Sequence, residues 1–539
     1  MRRSGRALLA LLFTAAVLGG CKKDKTTAPD PDETGPTTGT AVELVKDSIY
    51  YYAKETYLWS KNLPAYSVFN PRGFTGNSDG NAFFSEVLGI AKYSDNKYDL
   101  YNNTESTNDT KYSFIDGGDV SSSLGGTGSN FGFSIIYAGD DDIRVRYVYE
   151  GSPAGTAGLK RGYQITKINN RTGSALTYDA ESGGSNLNAI SNALSQGQII
   201  LTLKKQDGTF FDVTLNTRSY TIRPVMASKV VTYGTHKIGY FCYASFTEMD
   251  NSKAALDQVF SSFAAAGITD LVVDLRYNGG GSVTTSEYIA NSIAPASNAG
   301  KLMHTTNWAQ SLQSSPIPFI AAYFKGKVEK DQQFTATNAS FKPENNRMNF
   351  RDPELSQNIP TVNLSQLQGK VIFLVTGSTA SASELLINNL IPYMNVEIVG
   401  RTTYGKPVGF FPIHVWTAPS NYYDLYLASF QSLNSRGQGD FYTGMVPGSS
   451  TYAGKNVRDD VSRDFGDPQE AYFAQAISRI TTGQYITTTA ISKQASVRGA
   501  VKSDVDYERM DKANDRIEQK LHPFNGMVLD GSLKRLNKN

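Results

Sequence analysis

The sequence predicts an α/β protein built from several domains. Three observations lead to this fold class. The chain has 539 residues, its 40% hydrophobic content is enough for packed cores, and β-branched runs alternate with amphipathic helical patterns between 238 and 399. At about 150 residues per domain, this length corresponds to three or four units. A formal net charge of +2 gives no reason to expect a nucleic-acid partner.

The first residues have the pattern of a secretory signal peptide. Three arginines precede the apolar run 7–18, which is too short for a typical membrane span, and Gly19-Gly20-Cys21 follows. Cys21 resembles the lipid-modified first residue of mature bacterial lipoproteins. The alternative is a secreted protein with an incidental cysteine. We therefore expect residues 1–20 to be removed and the chain to be lipid-anchored in the bacterial cell envelope, facing the periplasm or the outer surface.

A polar tether and a helical region are expected next. Residues 21–40 lack apolar content and predict a flexible tether. From Ala41 to about Leu63, the spacing of apolar and aromatic residues predicts a helix, the first part of an N-terminal helical region and loop over 41–119. Sequence rich in Asn, Asp, Ser and Gly between 95 and 130 predicts a loop.

One later segment has the features needed to make a serine nucleophilic. The apolar run 371–375 predicts a buried strand, and Leu385 onward predicts a helix. Between them, Ser381 and Glu384 have the S-x-x-E spacing of a capping box. A hydroxyl at a helix start lies beside unpaired N–H groups, including that of Ala382, and these donors can hold a developing oxyanion. Most serines in this pattern are only helix caps, so this segment alone decides nothing.

Two further segments strengthen the hypothesis. A predicted strand at Val396–Val399 runs into a turn that ends at Lys406. A predicted buried strand at 269–275 runs into a glycine-rich turn that contains Gly280 and Gly281, where backbone N–H groups can approach a substrate closely. Taken alone, the lysine would be a solvated charge and the glycines an ordinary tight turn.

Together, the three segments resemble the C-terminal processing (tail-specific) peptidases, which are serine peptidases of the S41 type with a Ser–Lys dyad. The motifs that carry the resemblance are Asp274-Leu275-Arg276-Tyr277-Asn278-Gly279-Gly280-Gly281, Thr379-Ala380-Ser381-Ala382-Ser383-Glu384 and Tyr404-Gly405-Lys406-Pro407. The resemblance implies that Ser381 is the nucleophile and Lys406 its base, with N–H groups of Ala382 and of Gly280 or Gly281 as oxyanion donors. It also implies a crotonase-like catalytic domain of stacked ββα units over 226–483, with a long insertion at 284–370.

The chain departs from the family at two positions. Phe410 stands where some members have a glutamine that orients the lysine, and Pro392 stands where others have an aspartate, so the sequence names a dyad and no third member. A free lysine has a pKa near 10.4, and burial against apolar groups must lower that pKa before the lysine can accept a proton. A histidine base is the alternative, but none of the four histidines lies in a triad context: His236, His304, His414 and His522.

The stretch at 120–225 resembles a PDZ domain. The matching strings are Phe131-Gly132-Phe133-Ser134, Gly151-Ser152-Pro153-Ala154 and Ala157-Gly158-Leu159-Lys160-Arg161-Gly162, with Tyr163 where aspartate is usual and Leu187–Leu194 as the groove helix. The resemblance implies that N–H groups near Phe131–Ser134 bind a terminal carboxylate and that a substrate strand joins the sheet edge. The alternative is a small β-rich spacer.

The remaining segments carry less information. We expect a strand at Tyr423–Ser429 and a closing helix from Asp467 to Ile480, and Cys242 to be a core residue rather than a reactive thiol. The tail at 484–539 is polar with a basic end, which predicts a solvated helix or disorder.

The leading functional hypothesis is a membrane-anchored serine endopeptidase without cofactor or metal. Its partners would be protein or peptide substrates with a free C-terminus, and the membrane through the lipid anchor. A peptide-binding protein that has lost turnover is the second hypothesis, suggested by Phe410 and Pro392. An acyl-transfer or hydratase enzyme is the third, because crotonase-like folds host acyl-CoA chemistry; an export signal and a PDZ-like module suit peptides better.

Overall fold

The computed structural model describes residues 35–101, 109–179, 184–325, 328–329, 332–333, 337–353, 359–360, 362–364, 367, 370–418, 421–487, 504–521 and 526–529. The predicted signal peptide, Cys21 and most of the tether lie outside these residues. Within the described ranges, none of the helices combines the length and the apolar character that crossing a membrane requires.

A mixed β-sheet forms the centre of the molecule. Its described strands follow the order Val225–Tyr233, His236–Tyr243, Asp270–Asp274, Lys370–Val375, Asn395–Gly400 and Gly454–Asn456. The first two strands are antiparallel, and every later neighbour pair is parallel. Both faces of the sheet are covered, which explains the continuous apolar runs of its inner strands. The three inner strands predicted at 269–275, 371–375 and Val396–Val399 are confirmed to within a few residues.

Helices pack on both faces of this central sheet. Val273 and Phe373 face one side and pack with three helices: Met249–Ala266, Val283–Ile293 and Ala382–Leu390. Val272 and Leu374 face the other side and pack with the helix Ala471–Thr482. Neighbouring residues of a strand point to opposite faces, so one strand supplies both cores. The α/β fold class is confirmed, and the crotonase-like arrangement stays a prediction.

Smaller sheets adjoin the central one. A four-stranded antiparallel sheet has the order Arg347–Asn349, Leu302–Trp308, Phe430–Asn434 and Val408–Gly409. A three-stranded antiparallel sheet has the order Phe114–Asp116, Asn421–Tyr426 and Ile413–Ala418. Two short pairs are Gly281–Ser282 with Met527–Val528 and Val328–Glu329 with Gln332–Gln333, and two further helices are Gln310–Ser314 and Pro318–Lys325. The predicted insertion at 284–370 therefore contributes a fully buried helix and a paired strand to the main body.

The N-terminal region is helical, as predicted, but two of its expected elements differ. Its helices are Ala41–Thr56, Tyr66–Phe69, Asp79–Ala91 and Asp119–Leu124, and its short 3-10 turns are Ser60–Asn62, Pro71–Gly73 and Asp95–Lys97. The first helix ends at Thr56 rather than near Leu63, because Tyr57 is extended and its buried hydroxyl donates to Asp99 at 2.8 Å. The expected loop at 95–130 contains a helix, started by Asp116, whose carboxylate accepts two N–H groups of the following turn.

The region at 127–222 is β-rich, as predicted. Its strands are Thr127–Gly128, Phe133–Gly139, Asp142–Val148, Gln164–Ile168, Arg171–Thr172, Gln198–Lys204, Phe210–Asn216 and Tyr220–Thr221, and its helical segments are Pro153–Thr156, Gly173–Leu176 and Ser185–Leu194. The predicted groove helix is thus present, and Phe133–Gly139 is the edge strand of the sheet. That the region is a PDZ domain stays a prediction.

Three expectations for the last third of the chain are confirmed only in part. The predicted strand at Tyr423–Ser429 is present but runs from Asn421 to Tyr426, and the next strand, Phe430–Asn434, belongs to a different sheet. The closing helix begins at Ala471 rather than Asp467, because Glu470 caps it by accepting two backbone N–H groups. The tail contains a helix, Asp504–Leu521, that is not simply solvated, since Met510 and Ile517 are fully buried.

Candidate active site

Three loops meet where neighbouring parallel strands of the central sheet end. The strands that end at Asp274, Val375 and Gly400 are adjacent, and the loops after them carry the glycine turn, Ser381 and Lys406. Ligands of α/β sheets bind outside the carboxyl ends of such strands. The geometry therefore brings together the three motifs that the sequence predicts to form one site.

Ser381 lies at a strained junction between strand and helix. Its backbone has φ 62° and ψ −109°, a combination that residues with a side chain rarely adopt. Such a turn at the start of a helix aims the side chain away from the helix, as in the nucleophile elbow of α/β-hydrolases. The residue is completely buried, and its Oγ has no hydrogen-bond partner among the described residues.

The buried carboxylate of Glu384 joins the serine loop to the lysine loop. One of its oxygens accepts the N–H of Ser381 at 2.8 Å and the N–H of Lys406 at 2.9 Å. The other accepts the N–H of Gly405 at 2.8 Å and the hydroxyl of Thr403. Burial raises the pKa of Glu384, and these four donors oppose that rise. The sequence identifies Glu384 only as part of a capping box, whereas the structure makes it the link between the two predicted catalytic residues.

Lys406 is buried in mostly apolar surroundings. Its Nζ lies 4.2 Å from the centroid of the Phe410 ring and donates to the carbonyl of Tyr112 at 3.4 Å. Burial lowers the pKa of Lys406 to about 7, while the negative charges of Asp99 and Glu384 act in the opposite direction. A lysine with this pKa is partly neutral near pH 7 and can accept a proton.

The N-terminal region supplies a hydrogen-bond partner for the ammonium group of Lys406. Tyr112 provides the carbonyl that accepts from Nζ, and its hydroxyl donates to the carbonyl of Gly405 at 2.7 Å. Buried Asp99 fixes this segment by accepting the N–H groups of Tyr112 and Ser113, each at 2.9 Å. Sequence reasoning missed both residues, because they fall in a stretch predicted to be a loop and carry no recognisable motif.

In the glycine turn, the backbone N–H groups of Gly280 and Gly281 have different hydrogen-bond acceptors. The N–H of Gly280 donates to Asn278 Oδ1 at 2.9 Å, whereas the N–H of Gly281 donates to the carbonyl of Gly526 at 2.6 Å. Gly280 has φ 107°, and a methyl group on it would lie 2.4 Å from Gly526 O and 2.9 Å from Ala382 N. The turn and the start of the serine helix therefore approach too closely for any residue but glycine.

Buried ion pairs hold the end of the strand Asp270–Asp274 and the residues that follow it. The guanidinium of fully buried Arg276 pairs with Asp274 at 2.6 Å, Glu470 at 2.8 Å and Asp459 at 3.0 Å. The positive charges of Arg161 and Arg276 hold the pKa of the Asp459 carboxyl well below its usual range. This network fixes the strand end against the closing helix, and so positions the glycine turn.

The described histidines pair with carboxylates and not with Ser381. His236 bonds Asp270, His304 bonds Glu287, each at 2.9 Å, and His414 bonds Asp424. His414 lies in the strand Ile413–Ala418, and His522 lies outside the described residues. Cys242 is a buried core residue, and burial raises the pKa of its thiol far above the usual range.

The predicted carboxylate-binding segment lies at the edge of the β-rich region. Phe131 and Phe133 are buried in its core, and the N–H of Gly132 donates to Asn130 Oδ1 at 2.9 Å. The hydroxyl of Ser134 donates to the carboxylate of Glu518, which comes from the C-terminal helix. Over the described ranges, no group of three or more His, Cys, Asp or Glu side chains is arranged to hold a metal ion.

Comparisons with known proteins agree with the motifs. Residues 237–414 match the model of peptidase family S41. A putative S41 protease from Bacteroides fragilis has the same fold, with a TM-score of 0.54, 23% identity, and coverage of 81% of this chain and 97% of that one. The photosystem II D1 C-terminal processing protease gives a TM-score of 0.42 with 16% identity, covering 78% of this chain and 94% of that one. No curated protein sequence matches significantly.

The matched segment contains all three motifs of the site, from the glycine turn through Ser381 to Lys406. Residues 237–414 therefore carry a peptidase family S41 domain, which confirms the recognition made from those motifs.

Proposed function

We propose that the chain is a serine endopeptidase that uses Ser381 and Lys406 as a dyad. The observation that carries the proposal is the single oxygen of Glu384 that accepts the backbone N–H groups of both residues, next to a lysine whose pKa lies at about 7. Neutral Lys406 takes the proton of the Ser381 hydroxyl as Oγ attacks a peptide carbonyl. The same proton then passes to the leaving amine, and water hydrolyses the acyl-enzyme.

The oxyanion of this reaction requires two backbone donors. We assign them to Ala382, at the N-terminus of the serine helix, and to Gly281. Gly281 is favoured over Gly280 because the N–H of Gly280 already donates to Asn278, whereas that of Gly281 points at a peptide carbonyl. Donors fixed in this way stabilise the developing charge without reorganising during the reaction.

The proposal also includes how the substrate is selected and where the enzyme is located in the cell. The β-rich region binds the C-terminal end of a substrate near Phe131, Gly132, Phe133 and Ser134, and the extended chain continues toward Ser381. Lipid attached to Cys21 holds the enzyme in the cell envelope, where its substrates are extracytoplasmic proteins. The support for these two points comes from the sequence patterns described above.

A peptide-binding protein without turnover is the second candidate. It is favoured by one observation, the complete burial of Ser381 in this structure. A nucleophile that stays covered cannot react with a substrate.

Single substitutions test the dyad. Ser381→Ala and Lys406→Ala should each lower kcat/KM on an unstructured peptide by far more than ten-fold, and Lys406→Arg should be equally inactive because a guanidinium stays protonated near pH 7. Thermal unfolding of each variant controls for folding. Wild-type protein should also react with a fluorophosphonate probe, and Ser381→Ala should not. Variants that keep more than about a tenth of the wild-type rate would contradict the assignment, since that loss is only about 1.4 kcal/mol in the barrier.

A further inference from the structure

The C-terminal helix lies in the groove that the sequence predicts for peptide substrates. It packs against the edge strand Phe133–Gly139 and against the helix Ser185–Leu194. Met510 and Ile517 enter the same hydrophobic cluster as the core residues of these two elements. A segment of the chain itself therefore fills the place where an added substrate strand would bind.

Asn514 bonds to the edge strand as a neighbouring strand would. Its Oδ1 accepts the N–H of Tyr137 at 2.8 Å, and its Nδ2 donates to the carbonyl of Tyr137 at 3.0 Å. An antiparallel strand satisfies an edge residue with the same pair of hydrogen bonds. The amide is buried, so this contact excludes another chain from the strand edge at this point.

A carboxylate of the same helix lies where the terminal carboxylate of a substrate is expected. Glu518 is buried and accepts hydrogen bonds from the hydroxyls of Ser134 and Tyr147, and the guanidinium of Arg146 lies 3.5 Å from it. Glu518 also lines a cleft of about 220 Å³ that reaches the turn at Gly280. The cleft thus connects the β-rich region to the glycine turn.

The C-terminal helix also contacts the loop that precedes Ser381. Asp515 accepts the hydroxyl of Ser378 at 2.7 Å and lies 3.4 Å from Arg146. A methyl group on Gly377 would lie 2.0 Å from the carboxylate of Asp515. The loop before Ser381 therefore accommodates this carboxylate closely.

The last described residues enter the active-site cleft in an extended conformation. They run parallel to Gly281–Ser282, and the carbonyl of Gly526 accepts the N–H of Gly281 at 2.6 Å. On the opposite side, the N–H of Phe410 donates to Met527 O at 3.0 Å, and its carbonyl accepts the N–H of Leu529 at 3.0 Å. A backbone held on both sides beside the oxyanion donors is the arrangement expected of a bound peptide.

We propose that residues 504–521 and 526–529 are a built-in ligand of the peptide path, and that this C-terminal segment must leave before another chain can be cleaved. Gly526 takes the position of the residue whose carbonyl meets the oxyanion donors. Met527 and Val528 occupy buried apolar sites, so the cleft favours extended peptides with a small residue followed by apolar ones. The kinetic part of this inference rests on the proposed peptidase function, whereas its binding part does not.

Two changes to the protein should release the C-terminal segment from the cleft in different ways. Asn514→Ala with Glu518→Gln weakens the helix contacts, and a chain ended at Asn525 lacks the strand in the cleft. Lys512→Ala is the matched control, because Lys512 lies exposed on the same helix. Thermal unfolding shows which variants fold. If the chain ended at Asn525 does not fold, the result for Asn514→Ala with Glu518→Gln decides the test.

The binding experiment is done with Ser381→Ala in every protein, so that its result does not depend on turnover. The probe is a fluorescein-labelled synthetic peptide with the sequence of residues 522–533, followed by anisotropy. We expect both releasing changes to tighten its binding at least ten-fold and Lys512→Ala to leave it unchanged. Equal affinity in all folded variants would overturn the inference.

The kinetic experiment uses the same changes with Ser381 intact. We expect cleavage of an unstructured peptide to rise at least ten-fold in the released variants and to stay at the wild-type rate in Lys512→Ala. Tighter binding without any cleavage would retain the inference and refute the proposed peptidase. If the released variants bind the peptide no more tightly than the wild-type protein and cleave it no faster, the inference is refuted. The proposed peptidase function would not be affected by that result.

Discussion

The proposed dyad predicts that activity near neutrality depends on pH through the protonation of Lys406. Burial lowers the pKa of this lysine to about 7, and only its neutral form accepts the serine proton. The neutral fraction at a pKa of about 7 is roughly one tenth at pH 6 and nine tenths at pH 8. We therefore expect kcat/KM to rise about ten-fold between these two values and then to level off.

The assay is hydrolysis of an internally quenched peptide without groups that titrate between about pH 5 and 9, at constant ionic strength. Under these conditions, kcat/KM reports the pKa of the free enzyme. The variant Lys111→Met should shift the pH profile in a direction that can be predicted. The Lys111 ammonium lowers the pKa of Lys406, so its removal should move the rising limb to higher pH. A limb centred near pH 10, or a flat profile, would refute the reasoning.

Folding stability gives a second measurement of the same pKa. Between about pH 7 and 10, the unfolded chain keeps the Lys406 proton and the folded chain has lost it. The unfolded state binds more protons in this window, so the lysine makes the free energy of unfolding rise with pH, by at most about 1.4 kcal/mol per pH unit. Lys406→Met should lack this contribution. Parallel curves for the two proteins from about pH 7 to 9 would contradict the lowered pKa.

Two predictions test location and substrate choice. Replacing Cys21 by serine should move the protein from the membrane fraction to a soluble or uncleaved form, and unchanged fractionation without an acyl mass on the mature N-terminus would argue against the anchor. Amidating the last residue of an unstructured substrate removes a charged acceptor. Losing hydrogen bonds of about 1.5–3 kcal/mol should raise KM roughly ten-fold or more, and equal KM values for acid and amide would show that the β-rich region does not recognise a chain end.

Strands and helices could be predicted from the sequence where neighbouring residues alone mark the element. The strand at Lys370–Val375 is marked by a continuous apolar run, and the helix at Ala382–Leu390 by its start signal at Ser381. Parallel strands, covered on both faces, give such runs because every side chain is buried. The position of the site also follows, since loops after neighbouring parallel strands meet at one edge.

Contacts between distant parts of the chain could not be predicted in this way. Tyr112 reaches Lys406 across 294 positions, and Asn514 reaches Tyr137 across 377. The C-terminal helix is polar, and its buried side chains include Asn514 and Glu518, residue types that are usually exposed. A single sequence shows no sign that these polar groups have partners elsewhere, so the helix was expected to be solvated.

The chemistry of the proposed dyad therefore depends on more of the chain than the S41 segment. Residues 237–414 contain Ser381 and Lys406, but the carbonyl that accepts from the lysine comes from Tyr112, which lies before that segment. The strand that covers the cleft, Met527–Val528, lies after it. One flanking region helps to bury and orient the base, and the other occupies the place of a substrate. A lysine pKa near neutrality and a cleft occupied by the chain itself are thus properties of the assembled chain, and removing either flank should change the activity without altering Ser381 or Lys406.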